Sequence, residues 1–124
     1  MNGINFLLAD TNTLIQLLDG HPQVVQLLDN SLLGISFITE IELQCKSGLS
    51  IADQKLIHDL LQDCLIFDPD PDIKRLTVEM RQNYRLKLPD AFVAATALSR
   101  GLPLVTADVV FGRIDSLSII AFIP

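Results

Sequence analysis

Four acids stand where an α/β chain gathers its chemistry. Asp10 closes the apolar run INFLLA and Asp108 follows PLVTA, while Glu42 and Asp90 fall in the first turns of two helical stretches, TEIELQCK and LPDAFVAATAL. In a parallel sheet, ligands sit beyond the carboxyl ends of the strands, at the point where strand order reverses. Helices fed by those strands begin near the same edge. Carboxylates converging there without partners would repel one another and carry a desolvation cost. A divalent cation resolves the conflict, because Mg²⁺ or Mn²⁺ takes hard oxygen ligands, keeps several waters and bridges to phosphate oxygens. Each acid alone has a plainer reading. Asp90, just after Pro89, complements a helix dipole; Glu42 completes a capping box begun by Thr39; Asp10 and Asp108 are turn residues. Rival ligand sets are thin. His21 lies in a GHP turn and His58 mid-helix, Cys45 and Cys64 lack metal-ligand spacing, and no Gly-rich phosphate loop occurs.

The elements that must position these acids alternate. Ile4 to Ala9 reads as a buried strand, followed by a helix capped by Thr11 or Asn12 and stopped by Gly20, then a short helix PQVVQLLDN. A strand-like run follows Gly34. Next come the Thr39 helix, a longer amphipathic helix starting near Ser50 or Asp53, and the strand LIFD. The helix PDIKRLTVEMRQNYRLK puts Ile73, Leu76, Met80 and Tyr84 on one face. The Asp90 helix ends at Gly101, and the strands PLVTAD and LSIIAFI close the chain. This order predicts a three-layer α/β/α sandwich around a mainly parallel sheet of about five strands.

Composition bounds the reading. A chain of 124 residues fits one domain spanning 1–124. It is 49% hydrophobic with mean hydropathy +0.40, yet no apolar run approaches the roughly 18 residues of a membrane-spanning helix. The start of the chain lacks the basic region of a secretory signal, and two cysteines do not make a disulfide framework, so a reduced, cytoplasmic protein is expected. The net charge of −6 disfavours a simple electrostatic binder of nucleic acid; setting aside the four site acids leaves −6 + 4 = −2. Basic residues are clustered all the same. Lys74, Arg75, Arg81, Arg85 and Lys87 are five of the nine, in a window ending just before Asp90. Lys74, Arg81 and Arg85 share a helical face, either a solvated surface or a track for an RNA backbone. The two apolar helices around Leu14, Ile15, Leu17, Leu18, Val24, Val25, Leu27 and Leu28 supply either core or a patch for a second chain.

Taken in order, LLADTNTLI, ISFITEIEL, LPDAFVAATAL and LVTAD resemble the PIN-domain family, and within it the VapC-type toxin ribonucleases; the closing LSIIAFIP is similar too. The resemblance runs over nearly the whole chain. It places Asp10 as the acid after the first strand and Glu42, followed by leucine, as the second acid, whereas Glu40 does not match. Asp90 matches the acid of the PDA motif and Asp108 the last one; Asn12 and Thr106 fall where the family has small polar residues supporting the acids. It implies a Mg²⁺- or Mn²⁺-dependent endoribonuclease with all four acids as ligands or orienters of water. Water would attack phosphorus in line and the cation would stabilise the oxyanions that form. It also implies an RNA substrate contacted by Lys74, Arg81, Arg85 and Lys87, a homodimer, and a cognate antitoxin. On the same reading, Asp10→Asn leaves metal-free stability unchanged or raised, since a like-charge repulsion is relieved.

Other classes fit less well. A phosphoacceptor receiver domain would need paired acids after the first strand and a late lysine; only Asp10 follows that strand, and no lysine follows Lys87, although Asp68 could serve as a middle acid. A haloacid-dehalogenase-like phosphatase would need Asp where Asn12 stands. A PIN-like module that binds RNA or protein without cutting has no use for the full acid set.

Overall fold

The computed structural model describes residues 4–124. Its strands are β1 (Phe6–Ala9), β2 (Leu32–Ser36), β3 (Leu65–Phe67), β4 (Leu104–Thr106) and β5 (Ile119–Ala121); its helices are α1 (Thr11–Leu18), α2 (Pro22–Leu28), α3 (Phe37–Cys45), α4 (Ile51–Gln62), α5 (Pro71–Tyr84) and α6 (Leu88–Arg100). All strand pairs are parallel, in the order β3-β2-β1-β4-β5. The chain steps outward from β1 to β3 and then returns to lay β4 on the other side of β1. The order therefore reverses between β1 and β4, and the carboxyl ends of those strands are where a crevice forms.

Strand alternation sends the core to both faces of the sheet. Leu8 points to one side, among Met80, Leu86, Ala94 and Ala97 of the α5–α6 pair and Phe111, Ile114 and Leu117 of the segment after β4. Leu7 and Ala9 point to the other, where Val24 and Leu28 of α2, Leu14 of α1, Leu43 of α3 and Ile57 of α4 close over β1 and β2. The expected three-layer α/β/α sandwich is what these faces make. Small residues let α6 lie close: Ala91, Ala94, Ala95 and Ala97 are all buried.

Several boundaries differ from the sequence reading. Strand β1 begins at Phe6, leaving Ile4 outside it and 68% exposed. Strand β2 passes through Gly34, where a Cβ would come within 2.6 Å of the Phe67 ring. Its last residue, Ser36, caps α3 by accepting the Ile38 N–H, so the helix starts before Thr39, which is buried inside its first turn. Thr39 is therefore no cap, and Glu42 completes no capping box. Helix α1 is capped by Asp10 rather than Thr11 or Asn12. The box of Ser50 with Asp53 does form, at the start of α4. The apolar residues of α1 and α2 are largely core: Leu14, Val24 and Leu28 are buried and only Val25 is exposed.

Candidate metal and nucleic-acid site

Asp10 is built into the crevice by its neighbours. Its Oδ1 accepts the Thr13 N–H, at 2.9 Å, and the Thr13 hydroxyl; its Oδ2 accepts the Thr106 hydroxyl. Thr13 and Thr106 are themselves buried, at 0% and 1% exposure. A carboxylate offers about four lone-pair positions. Three are taken, so one remains for a ligand. Helix capping fixes Asp10 and also fixes Thr13, whose single hydroxyl proton is shared between Asp10 Oδ1 and the Val105 carbonyl of β4, 2.8 Å away. The carboxyl ends of β1 and β4 are thus tied together through one acid.

The same ladder continues to Asp108. Its backbone N–H donates to Thr106 Oγ1 at 3.0 Å, and its carboxylate accepts the Val110 N–H, capping a short 3₁₀ helix over Val109–Arg113 that the sequence reading missed. Thr106 accordingly accepts from Asp108 while donating to Asp10. Glu42 projects from the second turn of α3, and its Oε1 accepts the Thr11 hydroxyl at 2.6 Å. Asp90 is the third residue of α6, after Leu88 and Pro89, and has no side-chain hydrogen bond among the described residues.

All four acids line one open cavity of about 400 Å³, with Thr11 and Asn12 between them and Pro124 on its wall. Asn12 is exposed there; Thr106 lies beneath, behind Asp10. The electrostatics bear the mark of shared space. Burial pushes the Asp90 carboxyl above its ordinary value, and the carboxylates of Asp108, Glu42 and Asp10 add to that rise against the opposing ammonium of Lys87. Among the described residues, no three acids are drawn tightly enough to grip an ion between them. Asp10, Glu42 and Asp108 each accept from a hydroxyl or amide donor instead, and Asp90 accepts from none among the described residues. The donor set nonetheless suits a hard divalent ion. It is all oxygen, one lone pair of Asp10 and the second oxygen of Glu42 are unengaged among the described residues, and the cavity has room for the waters that Mg²⁺ keeps.

The basic residues divide. Arg75 is held by Asp72 at 2.7 Å and Glu79 at 3.0 Å, and Arg100 by Asp70 at 2.7 Å. Arg81 Nη1 donates to the Leu86 carbonyl at 3.1 Å, closing the turn between α5 and α6, where Arg85 adopts φ 55°. Lys74, Arg85 and Lys87 are exposed and enter no ion pair among the described residues. His21 is structural, as its turn suggested: its ring accepts the Val24 N–H at the start of α2 and bonds the Ile123 carbonyl at 3.0 Å. Cys45 and Cys64 are free. A second groove, of about 180 Å³ between α1, α3 and α4, is walled mainly by apolar residues such as Leu18, Leu43 and Leu56 and does not reach the acids. Thr11 and Thr13 were missed as site residues. The signal for Thr13 was its spacing, three after Asp10, which is where a capping acid finds its backbone donor.

Comparison with known proteins agrees with this fold. The PIN domain family model matches residues 7–117. No curated protein matches the chain. Among solved structures, a toxin–antitoxin complex from Klebsiella pneumoniae is 31% identical, with a TM-score of 0.81 over 93% of this chain and 96% of that one. VapBC-1 from nontypeable Haemophilus influenzae is 27% identical, with a TM-score of 0.77 over 94% and 97%. DNA-bound VapBC from Salmonella typhimurium is 25% identical, with a TM-score of 0.78 over 96% and 98%. With most of its length matched by the family model, and a relative of this identity matched almost end to end, the chain belongs to the PIN-domain family.

Proposed function

We propose that the chain is a VapC-type toxin ribonuclease that hydrolyses RNA phosphodiesters with Mg²⁺ or Mn²⁺ held by Asp10, Glu42, Asp90 and Asp108. The observation that carries this reading is that the four acids line one cavity at the β1–β4 reversal, in a PIN-domain chain similar to toxin–antitoxin structures. A divalent cation there would polarise the scissile phosphate and lower the pKa of water at the site. The chain's own residues do the rest. Thr13 and Thr106 fix the Asp10 carboxylate so that its free lone pair keeps one direction. Thr106 also holds the backbone of Asp108, setting the distance across the crevice. Asp90, kept partly out of water among like charges, would be stabilised as a carboxylate by a cation in the cavity. Lys87, next to the α6 start, and the exposed Arg85 and Lys74 are the candidates to bind the RNA backbone. Arg81 is less available, because it already closes the α5–α6 turn.

The partners follow from the same reading. A cognate antitoxin is proposed because a similar structure is a toxin–antitoxin complex, and a homodimer because the family resemblance implies one. The groove beside α4, lined by Ile15, Leu18 and Leu43 together with the charged Asp19, Lys46 and Asp53, and with Leu56 exposed at its edge, offers a surface for a partner segment. No helix of the described residues is long and apolar enough to cross a membrane, and action on RNA in the cytoplasm completes the proposal. The test is incubation of the purified chain, free of any antitoxin, with structured RNA in Mg²⁺ and in chelator. Cleavage in Mg²⁺ that stops in chelator supports it; a chain that binds RNA without cutting it returns the reading to a non-catalytic module.

A further inference from the structure

Thr11 is the first residue of α1, and Asp10 performs the capping that a threonine at this point could have performed. Its hydroxyl is therefore free to reach another element. It lies 2.6 Å from Glu42 Oε1 and 3.4 Å from Thr39 Oγ1, both on α3. Counting protons fixes the direction of the chain. Thr11 has one hydroxyl proton, and an ionised carboxylate only accepts. The Thr11 proton must then go to Glu42, and the hydroxyl of Thr39, fully buried, donates in turn to Thr11. Thr39 and Glu42 are three residues apart on one helix, so Thr11 is braced against the same helix face that carries the acid it holds.

We infer that Thr11 is a positioning residue for Glu42, fixing one carboxylate oxygen so that the other is presented to a divalent cation in the cavity. This rests on the metal-site reading above. A glutamate on a helix surface has several rotamers, and each must be given up when it becomes a ligand. With Oε1 tethered to α1, most of that freedom is already lost before a cation arrives, and the tether joins Glu42 to the residue next to Asp10. Hydrogen-bond partners that orient metal ligands commonly change metal affinity by tenfold or more when removed.

The experiment is calorimetric titration of the purified full chain with Mn²⁺, without RNA, on the native protein, Thr11→Val, Thr11→Ser, Glu42→Gln and the Thr11→Val/Glu42→Gln double variant, each checked for folding by its thermal melt. Thr11→Val is expected to weaken Mn²⁺ binding on the order of tenfold, Thr11→Ser to restore it, and Thr11→Val to add nothing once Glu42 is Gln. Native-like affinity in Thr11→Val, or an equal loss in the Glu42→Gln background, overturns the role of Thr11 and leaves the metal site standing. If Thr11→Val does not fold, Thr11→Ser decides: affinity well below native despite a normal melt overturns the inference, and native affinity with Thr11→Ala weakened about tenfold supports it. A native chain that takes no Mn²⁺ overturns both this inference and the metal-site reading.

Discussion

Replacing Asp10 by Asn keeps the volume and removes the charge. From charge alone, metal-free stability would hold or rise. The hydrogen bonds reverse that expectation. The Asn carbonyl can keep the Thr13 N–H and hydroxyl, but its NH₂ group then faces Thr106, whose hydroxyl has been donating to Oδ2. Thr106 is buried at 1% exposure, and among the described residues its hydroxyl donates to Asp10 alone. An orphaned buried donor costs about 1–3 kcal/mol, and hydrogen bonds to a charged acceptor lose strength when it becomes neutral. Relief of repulsion between the buried Asp10 and the more exposed Glu42, Asp90 and Asp108 offsets part of this, since solvent screens the latter three. The cap survives, because Asn is as good a cap as Asp. The expected net loss is about 1–3 kcal/mol, or about 3–5 °C of Tm for each kcal/mol in a domain of this size. Thermal denaturation of both chains in chelator measures it. RNA cleavage should fall by about 10²–10³, the usual effect of removing one well-placed electrostatic group. An Asn variant as stable as native in chelator, or more so, would refute the hydroxyl cradle as the device that holds Asp10; native-rate cleavage would remove Asp10 from the site.

Other consequences follow from the same contacts. Asp90 has its carboxyl raised above 3.8 by burial and then by Asp108, Glu42 and Asp10. A raised acid contributes stability that is full below pH 3.8 and is lost as pH climbs through the folded value. Metal-free Asp90→Asn should therefore melt higher than native at neutral pH and converge with it in acid; a lower melt at pH 7 would mean that the helix-dipole contribution of the charge outweighs repulsion. Mn²⁺ should raise the native Tm by linkage, and by less in Asp90→Asn; an equal gain would place the ion elsewhere. Thr106→Val removes the donor to Asp10 and the acceptor for the Asp108 N–H, so it should cost about 1–3 kcal/mol in chelator melts and depress cleavage. Lys87→Ala should weaken RNA binding and flatten its salt dependence, read by titration at several ionic strengths, whereas Arg81→Ala should chiefly lower Tm by opening the α5–α6 turn.

What the sequence made legible was set by short-range rules. Alternation of apolar strands with helices placed five strands and six helices, and the four acids fell at strand ends and helix starts because those positions recur in any doubly wound sheet. Cap choice was less legible. Ser36 and Thr39 are both good caps by type, and only the sheet, which ends β2 at Ser36, decides between them. That decision matters for function, since it removes the structural use that Glu42 would otherwise have had. Thr11, Thr13 and Thr106 look alike as isolated hydroxyls; their roles appear only when residues 96 and 31 apart in the chain, Thr106 with Asp10 and Thr11 with Glu42, are brought into contact. The basic window was legible as charge but not as partnership. Asp72 and Glu79 take Arg75, and a backbone carbonyl takes Arg81, leaving a smaller track than composition implied.

On the proposed function, the four carboxylates at the β1–β4 reversal hold the divalent ion with which the chain cuts RNA. The most direct test is the rate of RNA cleavage as Mn²⁺ is titrated into the purified chain, plotted against the Mn²⁺ binding isotherm in the same buffer. The rate should be nil in chelator and rise with the midpoint of binding, with both curves displaced to higher Mn²⁺ in Asp90→Asn. Cleavage that persists in chelator, or binding that saturates in the native chain without any cleavage, would contradict it.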